Sequence, residues 1–345
     1  MVLFSLSKIK IYTVCLFFLF VWSKTAFACD PIQPTVLDTV SIDPITGNII
    51  VSWIQNPSPH TAYYVVYVHN PLSDPPWDAV DTVYGAANIS TVLAGFNTSG
   101  GNFIVAVSAV DSCGNPSFFS FNTAHNTMQL IVDYDPCNQE SVLSWNSYRN
   151  WLNGVGAYKI WASEQGGNFQ LIGTTTASDT TFKHSNINTL RNICYLIQAV
   201  DGSLTKTASS NLNCIFSSFP AEPQFSYVRH ASVLGPNAVR LLFHVDSSAD
   251  SKEYIIERRT SGRWVEIRKI LPLAFIGNNF SMIDSTAETD YYSYYYRLRT
   301  INICDIESAE SNIAKTMLLE GENNPDYMMN TLKWSGYEGF ENGVG

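Results

Sequence analysis

Six histidines and, beyond residue 28, six cysteines are the groups with the widest chemical range in this chain. A metal catalyst needs its ligands to converge, as two histidines one helical turn apart do in His-Glu-x-x-His. His60, His69, His125, His184, His230 and His244 stand in no such pattern. No cysteine pair is spaced Cys-x-x-Cys, so a zinc site is not expected. A serine nucleophile would sit in a Gly-x-Ser-x-Gly elbow, and the sequence has none. Ser99-Gly100-Gly101 and Gly166-Gly167 lie between strand-like runs and open no helix, so they read as turns and not as phosphate cradles. Asp133-Tyr134-Asp135 brings two carboxylates where calcium takes about six to eight oxygens. Asp78 and Asp81 are an ordinary loop pair, a weak basis for glycoside hydrolysis. The expectation is a protein with no catalytic residue, no metal and no cofactor. Binding is the better prospect. Tyr67 and Trp161 share one position in two similar strands, opposite the Tyr64/Tyr158 face. If they face solvent they can stack on sugar rings; otherwise they cover a sheet edge or a neighbouring unit.

The elements that would carry these residues are strands. Asn48 to Trp53, Tyr63 to His69, Phe103 to Val110, Val142 to Trp145, Tyr158 to Ala162, Tyr195 to Val200, Tyr254 to Arg258 and Tyr294 to Ile301 are β-rich runs separated by Gly, Pro, Asn and Ser clusters. Short strands at this spacing predict sandwiches, and no stretch keeps a helical period. Charged residues are only 14% of the chain against 13% aromatics, a balance suited to extracellular β-structure. A net charge of −10 without a Lys/Arg run argues against nucleic acid and anionic membrane surfaces.

The N-terminus has the layout of a secretory signal peptide over residues 1–28. Lys8 and Lys10 precede an apolar stretch from Ile11 to Trp22, and Ala26-Phe27-Ala28 forms a small-x-small site. The apolar run is well short of the roughly 20 residues that span a membrane, so no transmembrane segment is expected in the mature chain. Cleavage would leave Cys29 first, either as a lipidation site or as a plain N-terminus.

An internal repeat sets the organisation. Leu143-Ser-Trp145-Asn-Ser-Tyr148-Arg-Asn-Trp151-Leu-Asn153-Gly154-Val155-Gly156 matches Leu332-Lys-Trp334-Ser-Gly-Tyr337-Glu-Gly-Phe340-Glu-Asn342-Gly343-Val344-Gly345 at seven of fourteen positions, 189 residues apart. Thr127-Met128-Gln-Leu130 matches Thr316-Met317-Leu-Leu319 at the same offset. A period of this length fits two sandwiches. The expected division is module 1 over 29–131, module 2 over 132–216, module 3 over 217–319, and the start of a truncated fourth module over 320–345. That last segment is expected to be poorly ordered or loosely attached, because half a sandwich cannot bury its inner face.

Within modules an early Trp (Trp53, Trp145), a Tyr-x-(Ile/Val) strand (Tyr64, Tyr158, Tyr254) and a late strand ending Ala-Val-Asp (Asp111, Asp201) recur. Alternation turns Val105, Val107 and Ala109, or Tyr195, Ile197 and Ala199, inward, and in module 3 leaves Arg297 and Arg299 facing water. These features resemble fibronectin type III domains, which implies an all-β chain of tandem immunoglobulin-like sandwiches. More narrowly, Asp111-Ser-Cys113-Gly-Asn115, Leu143-Ser-Trp145 with Gly154-Val155, and Cys194-Tyr195 with Ser210-Asn211-Leu-Asn213-Cys214 resemble arrays in Bacteroidetes gliding-motility-associated surface proteins. That resemblance implies type IX export and a place at the cell surface, although the C-terminal sorting domain of such proteins is absent here.

An even cysteine count in an exported chain predicts disulfides. Cys194 and Cys214 have their midpoint at 204, the centre of the turn Gly202–Lys206. Facing residues on an antiparallel hairpin lie about 4.5 to 5.5 Å apart at Cα, within disulfide reach. For the other four, Cys113 with Cys137 would stiffen the start of module 2 and leave Cys304 unmatched, since Asp326 takes the repeat position of Cys137. Cys29 with Cys113, Cys137 with Cys194 and Cys214 with Cys304 is a competing scheme. The expected function is a non-catalytic scaffold or adhesion stalk, exported to the extracellular space or outer cell surface, with an unknown surface protein or glycan as partner. The alternative is a glycan-binding accessory region of a secreted polysaccharide-degrading system.

Overall fold

The computed structural model describes residues 31–340. The signal peptide, Cys29 and the last five residues of the repeat lie outside the described residues. Seven strands come first: β1 (Leu37–Ile42), β2 (Ile49–Trp53), β3 (Thr61–His69), β4 (Trp77–Tyr84), β5 (Ser90–Leu93), β6 (Ile104–Asp111) and β7 (His125–Asn126). They form a three-stranded sheet, β1-β2-β5, packed on a four-stranded sheet, β4-β3-β6-β7. Next come β8 (Leu130–Asp135), β9 (Glu140–Trp145), β10 (Val155–Glu164), β11 (Gln170–Thr176), β12 (Thr181–His184), β13 (Arg191–Asp201), β14 (Thr207–Ser209) and β15 (Asn213–Ser217). Their sheets are β8-β9-β12 and β11-β10-β13-β14, with β15 also on β13. The plan repeats in β16 (Ser226–Gly235), β17 (Ala238–Val245), β18 (Ser251–Thr260), β19 (Arg263–Ile270), β20 (Asn279–Asp284), β21 (Tyr295–Asn302), β22 (Glu307–Glu310) and β23 (Ala314–Lys315). Two further strands, β24 (Leu319–Asn324) and β25 (Met329–Trp334), make a separate hairpin. All ladders are antiparallel, and among the described residues the only helical pieces are two three-residue 3-10 turns.

Alternation fills each core, because inward residues recur every second position. Trp53, Tyr64, Val66, Val105, Val107 and Ala109 meet in the first sandwich. Trp145, Tyr158, Ile160, Tyr195, Ile197 and Ala199 do so in the second. In the third, Phe243 takes the Trp position and packs with Tyr254, Ile256, Tyr296 and Leu298. The strand tyrosines also use their hydroxyls. Asn56 N donates to Tyr64 OH at 3.0 Å, and Tyr148 N donates to Tyr158 OH at 3.1 Å, so each ring holds the loop above it. The Ala-Val-Asp ending has a local cause as well. Asp201 accepts the backbone N–H groups of Thr205 and Lys206, both at 2.8 Å, fixing the turn after β13. Hydrogen bonds led by the Ser203 hydroxyl hold its carboxyl down at about 2. Asp111 and Asn302 cap the corresponding turns in the same way.

Three expectations need correction. Cys113 does not pair with Cys137: six extended residues of β8, about 20 Å, carry Cys137 away from the first sandwich, and it bonds Cys304. Cys304 is therefore not left over, and Cys113 is disulfide-bonded too. The competing scheme also fails in two of its pairs, since Cys194 bonds Cys214 across facing register positions with Cα atoms 4.0 Å apart. Finally, Arg297 and Arg299 point outward but are not free in water: both reach the buried Glu257, at 2.7 and 3.1 Å.

Candidate functional site

In an array the working parts are the joints and whatever the outer faces display. The second sandwich meets the first through the β9–β10 loop and the β13–β14 turn. Tyr148 and Trp151 from the loop lie ring against ring at 4.1 Å and are both buried. The Tyr148 hydroxyl accepts from Val40 N at 2.8 Å, which leaves its proton for His125 Nδ1 at 2.9 Å. Burial lowers His125 to about 4, so the ring is neutral and can accept. Burial likewise pushes the Tyr148 hydroxyl far above its usual range. Trp151 Nε1 donates to the Asp38 carbonyl at 2.8 Å. From the turn, Lys206 reaches the Asp38 carboxylate at 2.6 Å, and Ser209 N donates to Ser41 Oγ at 2.9 Å.

This geometry explains residues that looked merely repetitive. Asn153-Gly154-Val155-Gly156 brings the loop back beside the turn, where Gly202 N donates to Gly154 O at 3.0 Å. A Cβ on Gly202 would strike the Asn153 carbonyl oxygen, so glycine is required there.

The third sandwich and the following hairpin meet in the same manner. Ala231 holds the place of Val40: each follows a bulge in the first strand of its sandwich, after Leu37 or Val228. Ala231 N donates to Tyr337 OH at 3.3 Å, and Tyr337 lies 4.3 Å from Phe340. Asn312 Nδ2 donates to Gly339 O at 2.9 Å and Lys315 N to Glu338 O at 2.8 Å. Thr127 and Thr316, the other repeated block, do one job. Their hydroxyls accept from Phe103 N and Tyr294 N, both at 2.8 Å, and pin the connecting segment to the preceding sandwich. The segment after residue 319 was expected to be loosely attached. It forms a hairpin held by these bonds, although every residue of β24 and β25 is exposed.

The middle joint differs. Cys137, in the β8–β9 turn, bonds Cys304, in the β21–β22 turn, with Cα atoms 5.3 Å apart and a sequence separation of 167. Tyr134 OH donates to Ser218 O at 3.1 Å on the connecting segment. Asp135 caps its own turn through Cys137 N and Asn138 N. Among the described residues no three His, Cys, Asp or Glu side chains could hold a metal. Asp78 is occupied by Asn70 and Ser73, and Asp81 by Thr91.

Tyr67 and Trp161 fare unequally. Tyr67 stacks on Phe119 at 4.7 Å and 26°, under a segment that also places Phe121 against His69 and Trp77. Ser108, on the same face of β6, is buried under that segment and donates to Ser117 O at 2.7 Å. Alternation on β6 gave no sign of this cover, which comes from residues 116–121. Trp161 is half-buried on the outer face of β10, with Leu171 and Leu196 as its register partners.

Three pairs of sheets of this order define a tandem array of immunoglobulin-like sandwiches of the fibronectin type III kind. No family model matches the sequence, and no curated protein matches it. Among solved structures the chain is similar to the crystal structure of the FN1–FN3 domains of chicken CNTN1, at 12% identity, covering 83% of this chain and 98% of that one with a TM-score of 0.32. It is also similar to the central fibronectin-III array of RIM-binding protein, at 12% identity over the same shares with a TM-score of 0.25. Among the described residues no helix is long and apolar enough to cross a membrane.

Proposed function

We propose that this chain is a non-catalytic scaffold of an exported adhesion or stalk protein, whose joints fix the angle between successive sandwiches. The observation that carries this reading is the Tyr148 joint and its recurrence at Tyr337. A flexible tether needs no buried hydroxyl aimed at a neighbour's backbone. Disulfides within and between sandwiches support an oxidising compartment. The proposed modules are 29–131, 132–216 and 217–319, with the hairpin as the opening of a fourth. Leu319 faces Trp334 in it as Leu130 faces Trp145 in the second sandwich. The resemblance to gliding-motility-associated surface proteins adds the outer cell surface as the place of display. Small-angle scattering on the oxidised mature chain tests the reading. One rigid conformation should fit the data; a requirement for a broad ensemble of inter-module angles would refute it.

A further inference from the structure

An open groove of about 990 Å³ runs along the outer face of the β16-β17 pair and ends at Gly339 and Phe340. Its size suits an oligosaccharide or a large small molecule. The chain carries 30 acidic against 20 basic residues, yet among the described residues no acidic side chain lines this groove. Arg229, His230 and His244 line it instead, beside Phe225 and Tyr227. Glu338, next to the lining residue Gly339, is engaged by Lys315 Nζ at 3.2 Å.

Arg229 is the bulge residue of β16, as Asp38 is of β1. Asp38 is neutralised by Lys206 of the docked module. Arg229 makes no ion pair among the described residues, as Arg240, Arg259, Arg263 and Arg268 of the same sandwich also do not. Among the described residues His230 likewise has no side-chain partner, so its ring and the guanidinium keep their donors available there. Phe225 stacks on His244 at 4.8 Å and lies parallel to Tyr227 at 6.4 Å, giving an aromatic wall beside Arg229.

From this we infer that the β16-β17 groove binds an anionic polysaccharide, with Arg229 and His230 on its carboxylate or sulfate groups and Tyr227 against a sugar ring. Arginine presents two parallel donors to such an anion, and an aromatic ring offers a flat apolar face. The inference rests on the adhesion reading and names its ligand class.

The test uses the oxidised mature chain at low salt, because exposed charges are screened within about 10 Å at 0.1 M. Probes are polygalacturonate, dextran sulfate, neutral dextran and poly-L-glutamate, measured by calorimetric titration. Saturable binding of either anionic polysaccharide, without binding of dextran, is expected. Arg229→Asp should weaken it at least about tenfold, the share of one charge-assisted hydrogen bond. Tyr227→Val should weaken it several-fold. Both variants install the residues that the first sandwich carries at these positions, Asp38 and Val36, and unchanged thermal midpoints check that they fold. Absence of binding, or binding indifferent to Arg229→Asp, overturns the inference. Equal binding of poly-L-glutamate with the same sensitivity also overturns it and assigns the groove to an acidic polypeptide. Scattering reports on joint rigidity independently, so the two readings fail separately.

Discussion

Tyr148→Phe removes one oxygen and leaves the ring that packs on Trp151, so it isolates what the hydroxyl contributes to the first joint. That oxygen serves two buried groups from the other side of the joint, Val40 N–H and His125 Nδ1. Leaving a buried polar group unpaired costs about 1 to 3 kcal/mol. Val40 bears the full cost because its strand cannot turn away. The imidazole can rotate and recover part of its share. About 3 kcal/mol in total is the expected loss in docking, which is about a hundredfold in the open population. Scattering would miss a change from very rare to rare opening, but amide exchange reads the open population directly. The reporter is the Ser209 amide, which donates across the joint to Ser41 Oγ. Its exchange should accelerate by roughly two orders of magnitude in Tyr148→Phe, while core amides of the third sandwich stay as they were. If Ser209 exchange changes by less than a few-fold in a folded variant, the hydroxyl does not hold the joint and the proposed rigidity loses its basis.

The same joint should depend on pH, because burial lowers His125 from 6.5 to about 4. A depressed histidine binds its proton more readily when released, so stability is complete above about 6.5 and falls as pH drops toward 4. Two and a half pKa units correspond to about 3 kcal/mol, and Ser209 exchange corrected for intrinsic rate should rise across that window. Cys137→Ser should free the middle joint, and the sign would be a broader distance distribution in scattering with the internal core of each sandwich unchanged. Asp284→Ala should lower the stability of the third sandwich by about 3 to 5 kcal/mol, because it strands the Arg258 guanidinium and the Tyr296 hydroxyl; chemical denaturation measures it. Gly202→Ala should disrupt the β13–β14 turn against the Asn153 carbonyl and speed Ser209 exchange as Tyr148→Phe does.

The sandwiches were legible because inward residues announce themselves by alternation and size. Trp53, Tyr64 and Val107 could hardly lie anywhere but between two sheets. The hairpin disulfide was legible for a related reason: facing positions follow from the turn centre, and Cys194 with Cys214 needed only local geometry. Cys137 with Cys304 depends on how two sandwiches sit end to end, which strand periodicity does not encode. The reading from Asp326 failed because it treated a cysteine missing from one copy of the repeat as a missing partner. Arg297 and Arg299 were misplaced for a different reason. Outward on a strand means away from the core, but Glu257 on the neighbouring β18 faces the same way and draws both guanidinium groups inward.

The 189-residue repeat was visible as matched letters, and its physical meaning lay across boundaries between modules. Thr127 and Thr316 act on the sandwich before them, and Tyr148 and Tyr337 also reach back. Identity at this period therefore records joints as much as cores, with one kind of joint recurring every second module. The middle joint is built from a covalent bond, and its tyrosine, Tyr134, donates to the connecting segment instead of accepting from a neighbour's strand: the disulfide constrains the two turns directly. The chain thus alternates a docked joint, a bonded joint and a docked joint. In such an array the first docked joint responds to pH through His125 and the bonded one to reductant. Measuring Ser209 exchange in parallel with scattering under each condition would show whether the two kinds of joint loosen independently; loosening of both together under reductant alone would contradict the alternation.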